Sequence, residues 1–414
     1  MTTHSPEIGE VGTHHCALTE TIKRARNEIP LYAKLHAGIS SLDLTDLPSC
    51  SKSDLQPFGM LPLSAGPLSD MYRVSATSGT TGARLFIGYT ANDWAAIGAQ
   101  YKHIAACIGL GSKDVLLNTH GGGLWIGAPS LDELAHAAGA GVVPCGPSGP
   151  EQVLEWLRSL PITAISATPS YMRLLTEHAA LNHIELSNLS LRIGILGGEG
   201  SSPSLKQKVC DAFGGGFHWQ EGYGSTETGG PILAFAPPDT PFAGHLNINT
   251  DYFIVELLHP DKDEPVAPGE VGEITLSTPY REATVLLRYR TRDLATALPG
   301  IRDSSGWPQI TSVLGRIDDA IKVRGALVYP SVIEDVLTGR LNPGAEWRIR
   351  VGRRTGSTDV MTITYEHDND ALSDSLERQL REHLGLRPIL TRIEPGALER
   401  FSGKAKRVAD DRDG

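Results

Sequence analysis

Between residues 115 and 213 the chain alternates short apolar runs with longer stretches of helical periodicity, and this alternation restricts the fold more than any other feature. Val115-Leu116-Leu117-Asn118, Gly141-Val142-Val143-Pro144, Ala164-Ile165-Ser166-Ala167 and Ile193-Gly194-Ile195-Leu196 read as buried strands. Residues 131–140, 152–160, 171–180 and 205–213 carry apolar positions at helical spacing and read as helices. A parallel strand pair needs a crossover, which is usually a helix. Strand and helix in alternation therefore imply an α/β chain with a largely parallel sheet covered on both faces.

The flanking regions read differently. Residues 18–34 have helical spacing, and Ser51-Lys52-Ser53-Asp54 reads as a helix start. After Gly244, residues 252–258 and 272–276 read as strands joined by Pro- and Gly-bearing turns, which suggests a β-rich subdomain. Past Asp318 come two helices (331–340 and 370–384) and strands at 348–351, 360–366 and 389–393, an α+β unit of its own. At 414 residues the chain is long enough for two or three domains. Its 37 basic against 48 acidic side chains leave a net charge of -11, which argues against nucleic acid or an anionic membrane as a partner. Five scattered cysteines form no Cys-x-x-Cys and no disulfide framework, so a reducing, cytoplasmic setting fits. Residues 1–10 do not read as a secretory signal, and no apolar run approaches membrane-spanning length. None of the fourteen histidines falls in a metal-ligand spacing, and there is neither a Gly-x-Ser-x-Gly elbow nor a P-loop.

Five clusters carry chemistry. Ser78-Gly79-Thr80-Thr81-Gly82 alternates hydroxyls with glycines, so backbone and side-chain donors can approach a triphosphate closely; the alternative for the cluster alone is a solvated surface loop. Gly222-Tyr223-Gly224-Ser225-Thr226-Glu227 sets an aromatic face, a hydroxyl and a carboxylate within a few residues, suited to adenine, an α-phosphate oxygen and Mg2+. Read blandly, it is a strand followed by a turn. Asp293, after Tyr289-Arg290-Thr291-Arg292, could accept from two ribose hydroxyls, or belong to a surface ion-pair network with those arginines. Arg316, Asp318, Asp319, Lys322 and Arg324 by themselves read as a solvated charged face, and Lys404 as one charge in a frayed basic tail.

The order and spacing of the five together resemble the adenylate-forming superfamily of acyl-CoA synthetases, adenylation domains and luciferases. The resemblance is closest to the phenylacetate-CoA ligase-like branch. The branch marks are the 78–82 loop, Leu287-Arg288-Tyr289-Arg290-Thr291-Arg292-Asp293-Leu294, Gly315-Arg316 with Asp318-Asp319, Arg324-Gly325, Tyr329-Pro330 and Ser402-Gly403-Lys404. They cover about residues 29–411. Three features depart from the pattern: Arg84 where a lysine is usual, Ala326-Leu327 after Arg324-Gly325, and Glu399-Arg400-Phe401-Ser402 before Lys404.

The resemblance implies a large N-terminal adenylation domain (1–317) with layered parallel sheets and a β-rich subdomain, then a small mobile C-terminal α+β domain (318–414) carrying a catalytic lysine. It implies a carboxylate attacking ATP to give an acyl-adenylate, then a thiol displacing AMP, with ATP, Mg2+ and CoA required. It assigns Ser78, Gly79, Thr80, Thr81 and Gly82 to the triphosphate, and Tyr223, Gly224, Gly198 and Glu199 to adenine. Thr226 goes to the α-phosphate, Glu227 to the metal, Asp293, Arg316 and Lys322 to the nucleotide, Asp318 to a hinge, and Lys404 to both reacting anions. Gly122, Trp125, Tyr171, Gly197 and Gly222 would line the acid pocket, the glycines leaving room for a flat ring and so for a small aromatic acid. Arg324 and Gly325 would border the acceptor channel, with Lys322, Arg324 and Arg281 as candidates for the CoA 3′-phosphate. An acyl carrier protein or an amine as acceptor shares every ATP residue, and a homodimer is compatible with all of this.

Overall fold

The computed structural model describes residues 11–59, 61–77, 84–237, 240, 244–302, 306–324, 326–338, 340–342, 345–354, 358–369, 372–399 and 407–412. The chain divides into two compact units, Met1–Ala167 with Ser190–Gly198 and Phe217–Val313, and Thr168–Leu189 with Glu199–Gly216 and Leu314–Gly414.

The first unit opens with helices α1 (Val11–Glu28), α2 (Pro30–Leu35) and α3 (Lys52–Leu55). The single helix expected over 18–34 is broken at Ile29, because Pro30 pushes the residue before it out of helical geometry and starts a new helix at its own first position. A hairpin of β1 (Arg73–Ala76) and β2 (Phe86–Tyr89) follows, paired antiparallel from Arg73 with Tyr89 to Ala76 with Phe86. Helix α4 (Ala91–Ile108) begins in a reciprocal cap, Thr90 accepting from Asp93 N and Asp93 accepting from Thr90 N. Strands β3 (Val115–Asn118), β4 (Gly141–Pro144), β5 (Ala164–Ala167) and β6 (Ile193–Leu196) have the expected bounds. Helices α5 (Gly127–Ala138) and α6 (Pro150–Ser159) begin before their apolar pattern does, α6 because a proline occupies its first turn, where no amide is needed.

The remaining strands of this unit are β7 (His218–Ser225), β8 (Gly230–Phe235), β9 (His245–Ile248), β10 (Ile254–Leu258), β11 (Val271–Ser277), β12 (Tyr289–Arg302) and β13 (Pro308–Thr311). They form one sheet with the order β10-β11-β12-β13-β9-β8-β7-β6-β5-β3-β4. Its β4 to β7 half is parallel, as expected. From β7 onward it turns antiparallel, so the β-rich region continues the same sheet. Ile22, Tyr32, Ile87, Tyr101, Leu116, Ile193, Phe253 and Leu287 belong to its buried core.

The second unit contains α7 (Pro169–Leu181), α8 (Pro203–Phe213), the short strand β14 (Gly315–Arg316), and a hairpin of β15 (Ile321–Val323) and β16 (Ala326–Val328). It also contains α9 (Pro330–Thr338), β17 (Trp347–Arg354), β18 (Thr358–Glu366), α10 (Ser373–Leu384), β19 (Ile389–Ile393) and β20 (Val408–Asp410). The last four strands form a sheet in the order β19-β18-β17-β20. Ile333, Leu337, Ile349, Ile363, Tyr365 and Leu380 are fully buried in its core.

Candidate active site

The end of β7 and the turn after it collect the candidate residues of the first unit. Tyr223 donates its hydroxyl to Asp293 Oδ2 at 2.7 Å, joining residues seventy positions apart. Tyr289 donates to Glu227 Oε1 at 3.0 Å. Thr226, Glu227 and Asp293 are each more than nine-tenths buried. The cluster is both a strand and a turn, with its carboxylate aimed by a tyrosine rather than loose in solvent. The turn is fastened from within: the Thr228 hydroxyl accepts from Ser225 N at 2.8 Å and donates to the Gly230 carbonyl at 2.9 Å.

Asp293 is positioned by a second layer. Thr291 donates its hydroxyl to the Ile274 carbonyl at 2.8 Å and accepts from Asp293 N at 3.1 Å. Glu273, fully buried, accepts from Arg292 N at 2.9 Å and pairs with Arg290 at 2.6 Å. Arg288 pairs with Glu256 at 3.0 Å, both side chains buried. Arg288 and Arg290 before Asp293 thus belong to ion pairs that are largely internal, where losing one partner costs about 3–5 kcal/mol.

Glycines of the cluster have a packing reason. A Cβ on Gly197 would stand 2.5 Å from the Gly222 carbonyl, and one on Gly224 2.0 Å from the Gly230 carbonyl. At Gly222 it would meet Pro231 and Phe235 at 3.1 and 3.2 Å. The room expected at Gly197 and Gly222 is therefore already occupied by neighbouring strands. At Gly122 nothing lies within 4 Å, so that glycine does leave space.

The 119–127 loop is set by Asn118, whose side chain donates to the Ala128 carbonyl and Asp132 at 2.9 and 2.8 Å and accepts from Ser166 at 2.8 Å and from His120 N at 3.2 Å. His120 meets Trp125 edge to face at 5.0 Å. Burial pushes its imidazole down to about 4, so it is neutral at pH 7. Trp125 is 38 % exposed.

Ser78, Gly79, Thr80, Thr81, Gly82, Gly325 and Lys404 lie outside the described residues. The 78–83 segment joins β1 to β2, and its neck is closed by Thr77 N donating to the Leu85 carbonyl at 2.9 Å. Arg84 is exposed. Lys404 precedes β20, which pairs parallel with β17 from Val408 opposite Ile349, so Val408–Asp410 are a sheet strand and not a frayed end. Before that strand Arg407 donates to Glu346 at 2.7 Å and lies 4.5 Å from the Trp347 ring centre.

In the second unit Glu199 accepts from Ser170 N at 2.6 Å, so its carboxylate caps the start of α7. Tyr171 follows on that first turn, its amide donating to Thr168. Arg316 closes β14, and Asp318 lies in the short helical turn Ile317–Asp319. Lys322 is exposed on β15. Arg324, at the hairpin turn with φ +50, donates Nε to the Asp359 carbonyl at 2.7 Å. Arg281, considered for the CoA phosphate, is only 1 % exposed in the first unit and cannot reach a ligand in solvent. Sequence reasoning gave no role to Tyr289 or Glu273. Tyr289 lay within a quoted motif, and an acid inside the apolar 271–277 strand was the available signal for Glu273.

The model of the AMP-binding enzyme family matches residues 24–289, and that of the AMP-binding enzyme C-terminal domain matches 325–412. The chain belongs to the AMP-binding enzyme family. This family member is 30% identical to the phenylacetate-coenzyme A ligase of Thermus thermophilus over 92% of both chains. It is 29% identical to that of Escherichia coli K12 over 94% of this chain and 92% of the other. Among solved structures, 2-hydroxyisobutyryl-CoA ligase in its postadenylation state with 2-HIB-AMP superposes with a TM-score of 0.85 at 23% identity, covering 97% and 90% of the two chains, which speaks for the fold. No helix among the described residues is long and apolar enough to cross a membrane.

Proposed function

We propose that this chain activates a small aromatic (aryl or arylacetic) carboxylic acid with ATP and transfers the acyl group to the thiol of CoA. The observation that carries the reading is the single strand end at β7, which brings Asp293 onto Tyr223 and Tyr289 onto Glu227. An acid suited to two ribose hydroxyls, on β12, and an acid suited to a hard cation, on the turn after β7, are thus held beside one another by two tyrosine hydrogen bonds. The phenylacetate-coenzyme A ligases at about 30% identity support the choice of acid and thiol.

In the first step a carboxylate oxygen attacks the α-phosphorus, the bond to the bridging oxygen breaks, and pyrophosphate leaves. Such a transfer needs positioning and neutralisation of charge more than covalent help. We assign Thr226 to an α-phosphate oxygen, Ser78 to Gly82 to the leaving phosphates, and Lys404 to both reacting anions. Glu227, a single buried carboxylate oriented by a hydroxyl, fits Mg2+, which keeps phosphate ligands of its own and would neutralise their charge. We assign Arg316, Lys322 and Gly198 to the nucleotide as well. In the second step the thiolate sulfur attacks the acyl carbon and AMP leaves. We assign the domain boundary and hinge to Asp318, so that 318–414 can withdraw Lys404 and admit the acceptor past Arg324 and Gly325. The acid would lie against Trp125 and neutral His120, beside the open Gly122, and we assign Tyr171 to the same acid.

The test is pyrophosphate release across a panel of aromatic and aliphatic acids, repeated with CoA. We expect release with an aryl or arylacetic acid, and AMP with an aryl-CoA thioester once CoA is added. Release with no thioester would transfer the reading to a carrier-protein phosphopantetheine or an amine acceptor. A preference for aliphatic acids would overturn the aromatic pocket.

A further inference from the structure

The turn that carries Thr226 and Glu227 has three consecutive backbone carbonyls: the Gly229 amide reaches the first at 3.3 Å, and distant side chains donate to all three. Tyr89 donates its hydroxyl to the Thr226 carbonyl. Arg281 donates Nη1 to the Glu227 carbonyl at 3.5 Å and Nη2 to the Thr228 carbonyl. The guanidinium is 1 % exposed, lies 4.9 and 5.6 Å from the ring centres of Tyr89 and Tyr252, and donates Nε to the Tyr252 hydroxyl at 3.2 Å. A buried cation is usually held by a carboxylate. Asp93, the buried acid beside it, instead accepts from Glu282 N and Ala283 N at 2.8 and 3.0 Å. The fit is close, since a Cβ on Gly229 would stand 3.2 Å from Arg281 Nη2. Tyr89 ends β2, so the residue that donates to the Thr226 carbonyl and meets the Arg281 cation is fixed by the β1–β2 hairpin.

Resting on the function proposed above, we propose that Arg281 is a positioning residue of the adenylation step. With Tyr89 it locks the 226–228 carbonyls, so that the Thr226 hydroxyl and Glu227 carboxylate keep one orientation toward the nucleotide. A planar guanidinium can serve two carbonyls and two ring faces at once, and an ammonium cannot. The thioester step, in which pyrophosphate has already left, makes no such demand on the turn.

The test compares wild type with Arg281→Lys and Tyr89→Phe, the latter keeping its ring and the fold of the turn. We expect Tyr89→Phe to slow pyrophosphate release about tenfold and Arg281→Lys about a hundredfold at saturating acid. Both should raise the half-saturating Mg2+ concentration, leave the KM for the acid within about twofold, and form thioester from supplied acyl-adenylate at near the wild-type rate. Folded variants with unchanged Mg2+ dependence and unchanged adenylation, or with both half-reactions slowed alike, would overturn the proposal. Should Arg281→Lys fail to fold, Tyr89→Phe decides by the same criteria. If wild type releases no pyrophosphate with any acid, the proposed function fails separately. Arg281 is then judged on the rise in melting temperature caused by Mg2+ and ATP, which Tyr89→Phe should at least halve; an unchanged rise overturns the inference, and no rise in wild type overturns both.

Discussion

Replacing Gly224 by alanine would place a methyl group 2.0 Å from the Gly230 carbonyl oxygen and 2.8 Å from the carbonyl carbon. Ordinary contact begins at 3.4 Å, so β7 and β8 would have to part by more than an ångström. They have little freedom to do so: Thr228 ties Ser225 to Gly230 from inside the turn, and the Cβ position of Gly230 is only 2.4 Å from Ser130. Gly197→Ala meets the Gly222 carbonyl at 2.5 Å, whereas Gly222→Ala meets side chains at 3.1 Å and needs a shift of a few tenths. Overpacking costs about 1–3 kcal/mol, which puts Gly222→Ala near 1 and Gly224→Ala at 3 or more, with Gly197→Ala between. At about 2 °C per kcal/mol for a large domain, melting temperatures should fall by about 2 °C and 6 °C at the two extremes. Scanning calorimetry of the three variants reads the order, and pyrophosphate release below the unfolding onset reads the site. Gly224→Ala should lose most of its adenylation while folded, because Tyr223 and Thr226 flank the displaced strand. Equal melting temperatures, or Gly222→Ala as the least stable, would refute the reasoning.

Tyr223→Phe removes the 2.7 Å bond to Asp293, and we expect the KM for ATP to rise about three- to tenfold with the acid KM unchanged, measured by ATP-pyrophosphate exchange. Lys404→Ala should reduce adenylation by several kcal/mol of transition-state stabilisation while leaving thioester formation from supplied adenylate largely intact; near wild-type pyrophosphate release would make Lys404 a bystander. Asp114 is desolvated, which raises its pKa, but bonds from Arg192, Thr163 and Gly111 N outweigh that and hold it below the ordinary 3.8. A depressed folded-state pKa stabilises above the unfolded value and is lost on acidification. Asp114→Asn should therefore cost about 1–2 kcal/mol at pH 7, a difference from wild type that shrinks as pH falls below the ordinary 3.8, followed by denaturant titration at several pH values.

Local pattern was enough for every element whose chemistry is local. The bounds of β3 to β6 follow from apolar runs between glycines and polar turns, and α6, α7 and α8 needed only the rule that proline suits a first helical turn. The five clusters stood out in the sequence because small hydroxyls, glycines and single carboxylates at fixed offsets are rare in combination; Ser78 to Gly82 and Lys404 lie outside the described residues. Partnership at long range was not. Tyr223 with Asp293, Tyr289 with Glu227 and Tyr89 with Thr226 join residues 70, 62 and 137 positions apart. Periodicity gives the face of a strand but not the strand opposite it. Burial made Arg281 and Arg288 internal supports, and a hydrogen bond from Ser170 N makes Glu199 a cap of α7. The sequence by itself determined which groups were available for ATP chemistry. Only the tertiary structure decided which of them are buried and which partner each of them meets, because that depends on strand order and register, and a one-residue slip in register would send every side chain of a strand to the opposite face.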